Sequence, residues 1–199
     1  MFRFALLLAL IFGAVTGARA ADALDELRAS FAIGGKPVPP EVFGDFGDAM
    51  MSDNRPVVVT VDALTAIDSN RYADPIKTHG GWVEQIKQID KANTETMAYR
   101  YIGATENGLL VVVAWWSGGG TGVFHTLHIV DAGWTGAFDD DGAPYRRLTL
   151  TNLRSVALGD RWEGDVKNVG NKINIDTSAS RGGSGVGRVT GGAAAVSPQ

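Results

Sequence analysis

A mainly β fold, a single antiparallel sheet or sandwich built on a central meander with one short N-terminal helix, follows from three observations in this 199-residue chain. The stretch from Thr96 to Asp131 carries three strand-like apolar runs joined by two glycine-bearing turns, Asn107-Gly108 and Ser117-Gly118-Gly119-Gly120. Within it, Leu109–Trp116 is apolar at even and odd positions alike, the pattern of a strand covered on both faces. Further short runs punctuated by turn residues recur at Pro56–Val61, Arg147–Thr151, Ser155–Leu158 and Val166–Ile175. Asn107-Gly108 is expected to supply the positive-φ pair of a two-residue hairpin.

The composition, 45% hydrophobic and 20% charged, is that of one globular domain with a real core. The first twenty residues read as a leader. Arg3 gives a positive start, Phe4–Val15 is apolar but too short to span a bilayer, and Ala18-Arg19-Ala20 offers the small residues that a signal peptidase cuts after. The expected organisation is therefore a signal peptide at 1–20, one β-rich domain at 21–176 and a disordered Gly/Ser/Ala-rich tail at 177–199. The localisation that follows is periplasmic or secreted, with no membrane span once the leader is removed.

Cysteine is absent, so there is no disulfide, no Cys-ligated metal, no thiol nucleophile and no lipidated N-terminal cysteine. Beyond residue 20, 16 basic residues face 22 acidic ones, a net charge of −6 that argues against nucleic acid as a partner.

In chain order, Asp22–Phe31 places Ala23, Leu24, Leu27 and Phe31 at helical spacing, with Asp22, Asp25 and Glu26 in the first turn where the helix dipole favours them. Gly34-Gly35 is expected to end that helix and Lys36–Pro40 to continue as an extended linker. Val42, Phe43 and Phe46 read as anchors of a loop pinned to the core. Pro56–Val61 reads as a strand, Asp62 as the cap of a helical turn carrying Leu64 and Ile67, and Asp68–Tyr72 with Asp74-Pro75 as turns. Trp82–Ile89 fits two turns of helix, yet its place between turns favours a strand. Gly133–Pro144 reads as a loop with an acidic centre, Gly159-Asp160 as a turn, and Val166–Ile175 as a hairpin about Gly170-Asn171.

Gly34-Gly35-Lys36-Pro37, Ser69-Asn70-Arg71-Tyr72, Tyr99–Gly103 with Asn107-Gly108, Ser117–Phe124 (SGGGTGVF) and Leu158-Gly159-Asp160-Arg161 occur in an order that resembles a family of small exported bacterial proteins. The resemblance covers Phe31 to Ile175. It implies a shared fold and carries no activity, cofactor or catalytic residue.

His125 and His128 form a His-x-x-His pattern. On a strand, residues three apart point to opposite faces, so the pair is not expected to chelate one ion. His125 instead shares a face with Val123, Leu127 and Ile129, as a packed or interface histidine does, and His79 stands alone. Asp139-Asp140-Asp141-Gly142 offers three carboxylates where calcium takes 6–8 oxygens, so a solvated acidic turn is expected. Ser117–Gly122 has the composition of a phosphate loop but leads into a strand rather than a helix, and Ser117 lacks the context of a catalytic serine. Asp160 with Arg161, and Arg71 with Tyr72, read as turn-fixing pairs.

Five tryptophans, Trp82, Trp115, Trp116, Trp134 and Trp162, supply material for a sugar-stacking or peptide-binding platform. The candidate binding residues are Trp115, Trp116, Trp134 and His125; no catalytic residue, metal or cofactor is expected. The functional expectation is a non-catalytic binding or structural role in the cell envelope, with an envelope glycan or an exported protein as partner. The alternative is a carboxylate-based periplasmic hydrolase that uses Glu84 or Asp131 with Asp160.

Overall fold

The computed structural model describes residues 23–47, 60–68 and 75–176. The expected leader, residues 56–59 of the expected strand, the turn residues 69–74 and the 177–199 tail lie outside the described residues.

Residues 23–30 form helix α1. Phe31 ends it in the left-handed region (φ 55), earlier than Gly34-Gly35. Those glycines instead turn a small hairpin between β1 (Ala32–Ile33) and β2 (Lys36–Pro37), which replaces the start of the expected linker. Their amides donate to the Glu26 carboxylate at 2.7 and 2.8 Å. These bonds, Gly35's foremost, hold its pKa below the usual carboxylate range. Val42–Gly47 is a helix, α2, and not a pinned loop. Pro39 and Pro40 precede it with carbonyls that accept from Val42 and Phe43, and burial of Val42, Phe43 and Phe46 outweighs the poor helix propensity of its glycines and aspartate.

β3 (Thr60–Asp62) leads into α3 (Ala63–Asp68), which Asp62 caps by accepting the Leu64 amide at 3.1 Å. β4 (Ile76–His79) and β5 (Trp82–Gln88) pair across the two-residue turn Gly80-Gly81, both at positive φ. Residues 82–88 are thus strand. β6 (Thr94–Ala104), β7 (Leu110–Ser117), β8 (Phe124–Phe138) and β9 (Pro144–Asp160) complete the meander.

Three turn expectations are corrected. Between β6 and β7 only Gly108 has positive φ (85), and Thr105 accepts the Gly108 amide while pairing with Leu109, so the loop has three residues and not two. Residues 133–138 and Pro144 are strand; the loop shrinks to Asp139–Ala143, where the Asp139 carboxylate accepts the Asp141 and Ala143 amides. Likewise β9 runs through Gly159 and Asp160, and the chain turns at Arg161 (φ 46). β10 (Val166–Val169) and β11 (Lys172–Ile175) form the expected hairpin about Gly170.

The result is a mainly β structure whose seven-stranded antiparallel sheet has the order β3-β9-β8-β7-β6-β5-β4, with three short helices: the expected N-terminal one, the helical turn expected after Asp62, and α2, which was not expected. β9 is two residues longer than β8 because Leu153 and Leu158 have no partner in the β8 register. Bulges of this kind bend a strand and increase its twist, which curls the sheet.

The β7 ribbon is an interior strand and both its faces are covered. Leu110, Val112 and Ala114 join Tyr99, Val130, Leu148 and Leu150 on one face, beneath Leu27, Phe31, Val42, Phe43 and Phe46. Val111 and Val113 join Leu127 and Ile129 on the other, beneath Trp162, Val166, Ile173 and Ile175. Leu110–Val113 are fully buried, each worth about 1.5–3 kcal/mol relative to exposure. The β10–β11 hairpin is clipped over its face by Asn168 Nδ2 donating to the Ala104 carbonyl and the Asn107 amide donating to Asn171 Oδ1. Among the described residues, no helix is long and apolar enough to cross a membrane.

Candidate functional site

Strand register brings Trp115, Trp116, Phe124 and His125 together at the end of the meander where β7 turns into β8. One row on the helix-covered face runs Gln85, Met97, Trp116, Phe124, Asp160, one residue per strand from β5 to β9. The adjacent row on the opposite face runs Glu84, Ala98, Trp115, His125, Gly159. Trp115 and Trp116 therefore point to opposite sides, as period-2 alternation requires.

On the side of Trp115 the rings interlock edge-on. Trp82 meets Trp115 at 6.5 Å and 62°, and His125 at 6.5 Å and 74°; Trp162 meets His125 at 6.1 Å. The Arg100 guanidinium lies 5.3 Å over Trp82 and 3.8 Å from Asp165. Burial among these rings lowers the His125 pKa, while the backbone of Val123, the Asp160 carboxylate and the backbone of Gly159 act against it. His125 Nδ1 is buried and meets no partner in hydrogen-bond geometry. Edge-to-face contacts use up the π faces that a flat ligand needs, so this half of the site is packing.

The side of Trp116 is built differently. Trp116 and Phe124, directly opposite across β7 and β8, lie 6.0 Å apart at 23°, nearly parallel, and are 39% and 51% exposed. Trp116 Nε1–H donates to the Glu95 carboxylate, which fixes the indole in its plane. The glycine turn supports both rings: a Cβ at Gly118 would stand 2.9 Å from the Trp116 ring, and one at Gly122 2.8 Å from the Phe124 ring. Gly119, at φ 83, brings the turn so close to β6 that a Cβ would meet the Thr94 carbonyl at 2.6 Å.

Asp160 and Arg161 hold the same turn from the β9 side. Asp160 accepts the Val123 amide at 2.7 Å and pairs with Arg161 at 2.7 Å. Arg161 in turn donates its own amide to the Val123 carbonyl and its guanidinium to the Thr121 carbonyl. The pair reads in the sequence as turn-fixing, but the turn it fixes lies some forty residues upstream.

The other candidates lie elsewhere. Trp134 is on the part of β8 beyond β7, packed against the helix-side core with Arg146 5.4 Å over its ring. His128 is buried against Phe43 and Phe46, on the face opposite His125, so the two imidazoles do not converge. Among the described residues no three His, Asp or Glu side chains are grouped to hold a metal ion.

The carboxylates of the hydrolase reading are dispersed along the sheet. Asp131 pairs with Thr151, seven β8 residues from the rung of Phe124 and Asp160, roughly 23 Å of strand. Glu84 lies four strands from Gly159 in its row, roughly 19 Å across the sheet. Glu84 sits within 4.0 Å of His79 Nε2. Far from the aromatic end, Phe138 and Tyr145 are exposed at the tip of the β8–β9 arm, around an open cleft of about 410 Å³.

Phe124 and Glu95 went unnoticed in the sequence. The signal for Phe124 was there: a turn beginning after Trp116 and ending before Phe124 places those two residues opposite each other. Comparison of the chain with family models, with curated proteins and with solved structures finds no match.

Proposed function

We propose that the chain is an exported, non-catalytic binding domain that engages a component of the cell envelope through the Trp116–Phe124 pair. The observation that carries this reading is the exposure of two nearly parallel rings at one end of a sheet, kept open by glycines whose replacement would collide with them. Rings that serve only a core turn inward and are covered; these two stack on each other and stay exposed, with the indole fixed by a hydrogen bond and the turn beside them clamped. Export rests on the sequence, through Arg3, the apolar run Phe4–Val15 and Ala18-Arg19-Ala20.

The test is retention of the purified full chain on the insoluble envelope fraction of a bacterial cell. Wild type is expected to co-sediment; Trp116→Ala and Phe124→Ala are expected to lose about tenfold in apparent affinity, the scale of a buried aromatic anchor. Trp134→Ala is expected to bind like wild type. A wild-type chain that stays wholly in solution would sink the proposal.

A further inference from the structure

We infer that the ligand of the Trp116–Phe124 surface is an uncharged glycan; the inference rests on the binding role proposed above and names its chemistry. Three features of the surface select that class. First, ring geometry: an aromatic face carries negative charge density and attracts C–H groups that carry partial positive charge, which a pyranose presents on its flatter side. Trp116 and Phe124 stack on each other 23° from parallel and still leave ring area exposed for such a face, whereas the edge-on cluster around Trp115 does not.

Second, the flanking polar groups are acceptors. Glu95 borders Trp116 and Asp160 borders Phe124 in the same row. An ionised carboxylate has about four lone-pair sites. Glu95 receives Trp116 Nε1–H, and Asp160 receives the Val123 amide and Arg161, which leaves acceptor capacity for hydroxyl donors. Two of the cations at this end are engaged: Lys87, opposite Glu95, reaches Glu41 at 3.6 Å, and Arg161 reaches Asp160. Glu41, Glu95 and Asp160 against Lys87 and Arg161 leave a local negative balance, which disfavours uronic acids and phosphorylated glycans.

Third, two modes by which peptides bind are closed here. β7 is paired on both sides, by β6 and β8, so no free edge lies beside Trp116 for an added strand. The indole N–H, the donor that would hold a peptide carbonyl in an aromatic groove, is already given to Glu95.

The experiment is titration of the full chain with neutral oligosaccharides of glucose, mannose and N-acetylglucosamine, with an oligogalacturonate and with a proline-rich peptide, followed by tryptophan fluorescence and by the Trp116 indole N–H resonance. At least one neutral oligosaccharide is expected to bind and to shift that resonance. Its dissociation constant is expected to rise about tenfold in Phe124→Leu, which keeps the apolar volume and removes the ring, and severalfold in Gly122→Ala, which keeps the ring and displaces it. Trp115→Ala is expected to stay within twofold. Tighter binding of the oligogalacturonate or the peptide at Trp116 would overturn the glycan class and leave the binding role intact. Envelope retention lost in Phe124→Ala with no neutral sugar bound would do the same. Sugar binding indifferent to Phe124→Leu and Gly122→Ala would overturn the assignment of this surface.

Discussion

His128 is 2% exposed beneath α2, with the Phe43 and Phe46 rings 5.2 and 5.9 Å from its own. Its Nδ1 lies 3.0 Å from Ser155 Oγ, and that oxygen accepts from Asn152 Nδ2 at 2.9 Å. Ser155 Oγ and His128 Nδ1 thus share one hydrogen bond whose direction follows the tautomer of the ring. Burial pushes the pKa down to about 4, against a smaller opposing effect of Asn152. The unfolded chain, with an ordinary imidazole near pH 6.5, binds the proton more readily than the folded one does. The stability that this ring contributes is therefore complete above pH 6.5, declines as pH falls and levels off below about 4. The loss amounts to about 3 kcal/mol over that window. Urea unfolding at several pH values should show the decline in wild type and a shallower one in His128→Gln; identical slopes would refute the assignment.

At the scale of elements, the β7–β8 turn is held by contacts from outside itself. Asp160→Ala would leave the Val123 amide unpaired and release Arg161 from its ion pair. The expected cost is about 1–3 kcal/mol, with faster hydrogen exchange at Val123 as the local readout. The β10–β11 hairpin is the lid of one core: Ile173 is 1% exposed there among Val111, Val113, Leu127 and Ile129. Ile173→Ala should cost about 2–5 kcal/mol in denaturant unfolding, a cavity effect that Ile173→Val would largely avoid.

At the scale of the molecule, one sheet separates two cores. Side chains of the first rise towards α1, α2 and α3, and those of the second towards β10 and β11. Phe31 and Ile173 lie on opposite sides of the sheet and pack into separate cores. The stability losses of Phe31→Ala and Ile173→Ala should therefore add in the double variant to within about 0.5 kcal/mol. A larger deviation would mean that the sheet transmits strain between its faces.

Strand identity was legible wherever local chemistry decides it. Apolar residues at successive positions of β7 implied cover on both sides, and Gly170 implied the β10–β11 turn. Alternation alone put Trp115 and Trp116, and His125 and His128, on opposite faces. What the chain does not display locally is how far a strand continues once a partner supports it. Residues 133–138, rich in glycine and alanine, look like a loop but extend β8 because β9 pairs with every one of them. Val42–Gly47 has weak helix propensity and is helical because its aromatic side finds Tyr99 and His128 below it. The candidate site divides in the same way. Local periodicity determined which face each tryptophan takes, and the β7–β8 turn sets Trp116 opposite Phe124; only packing between strands, together with the clamp of Asp160 and Arg161, decided that this pair stays at the surface while Trp115 packs against Trp82. Side-chain direction follows from the backbone of a single strand, but neighbours across a sheet follow from pairings between distant segments, which no single segment contains.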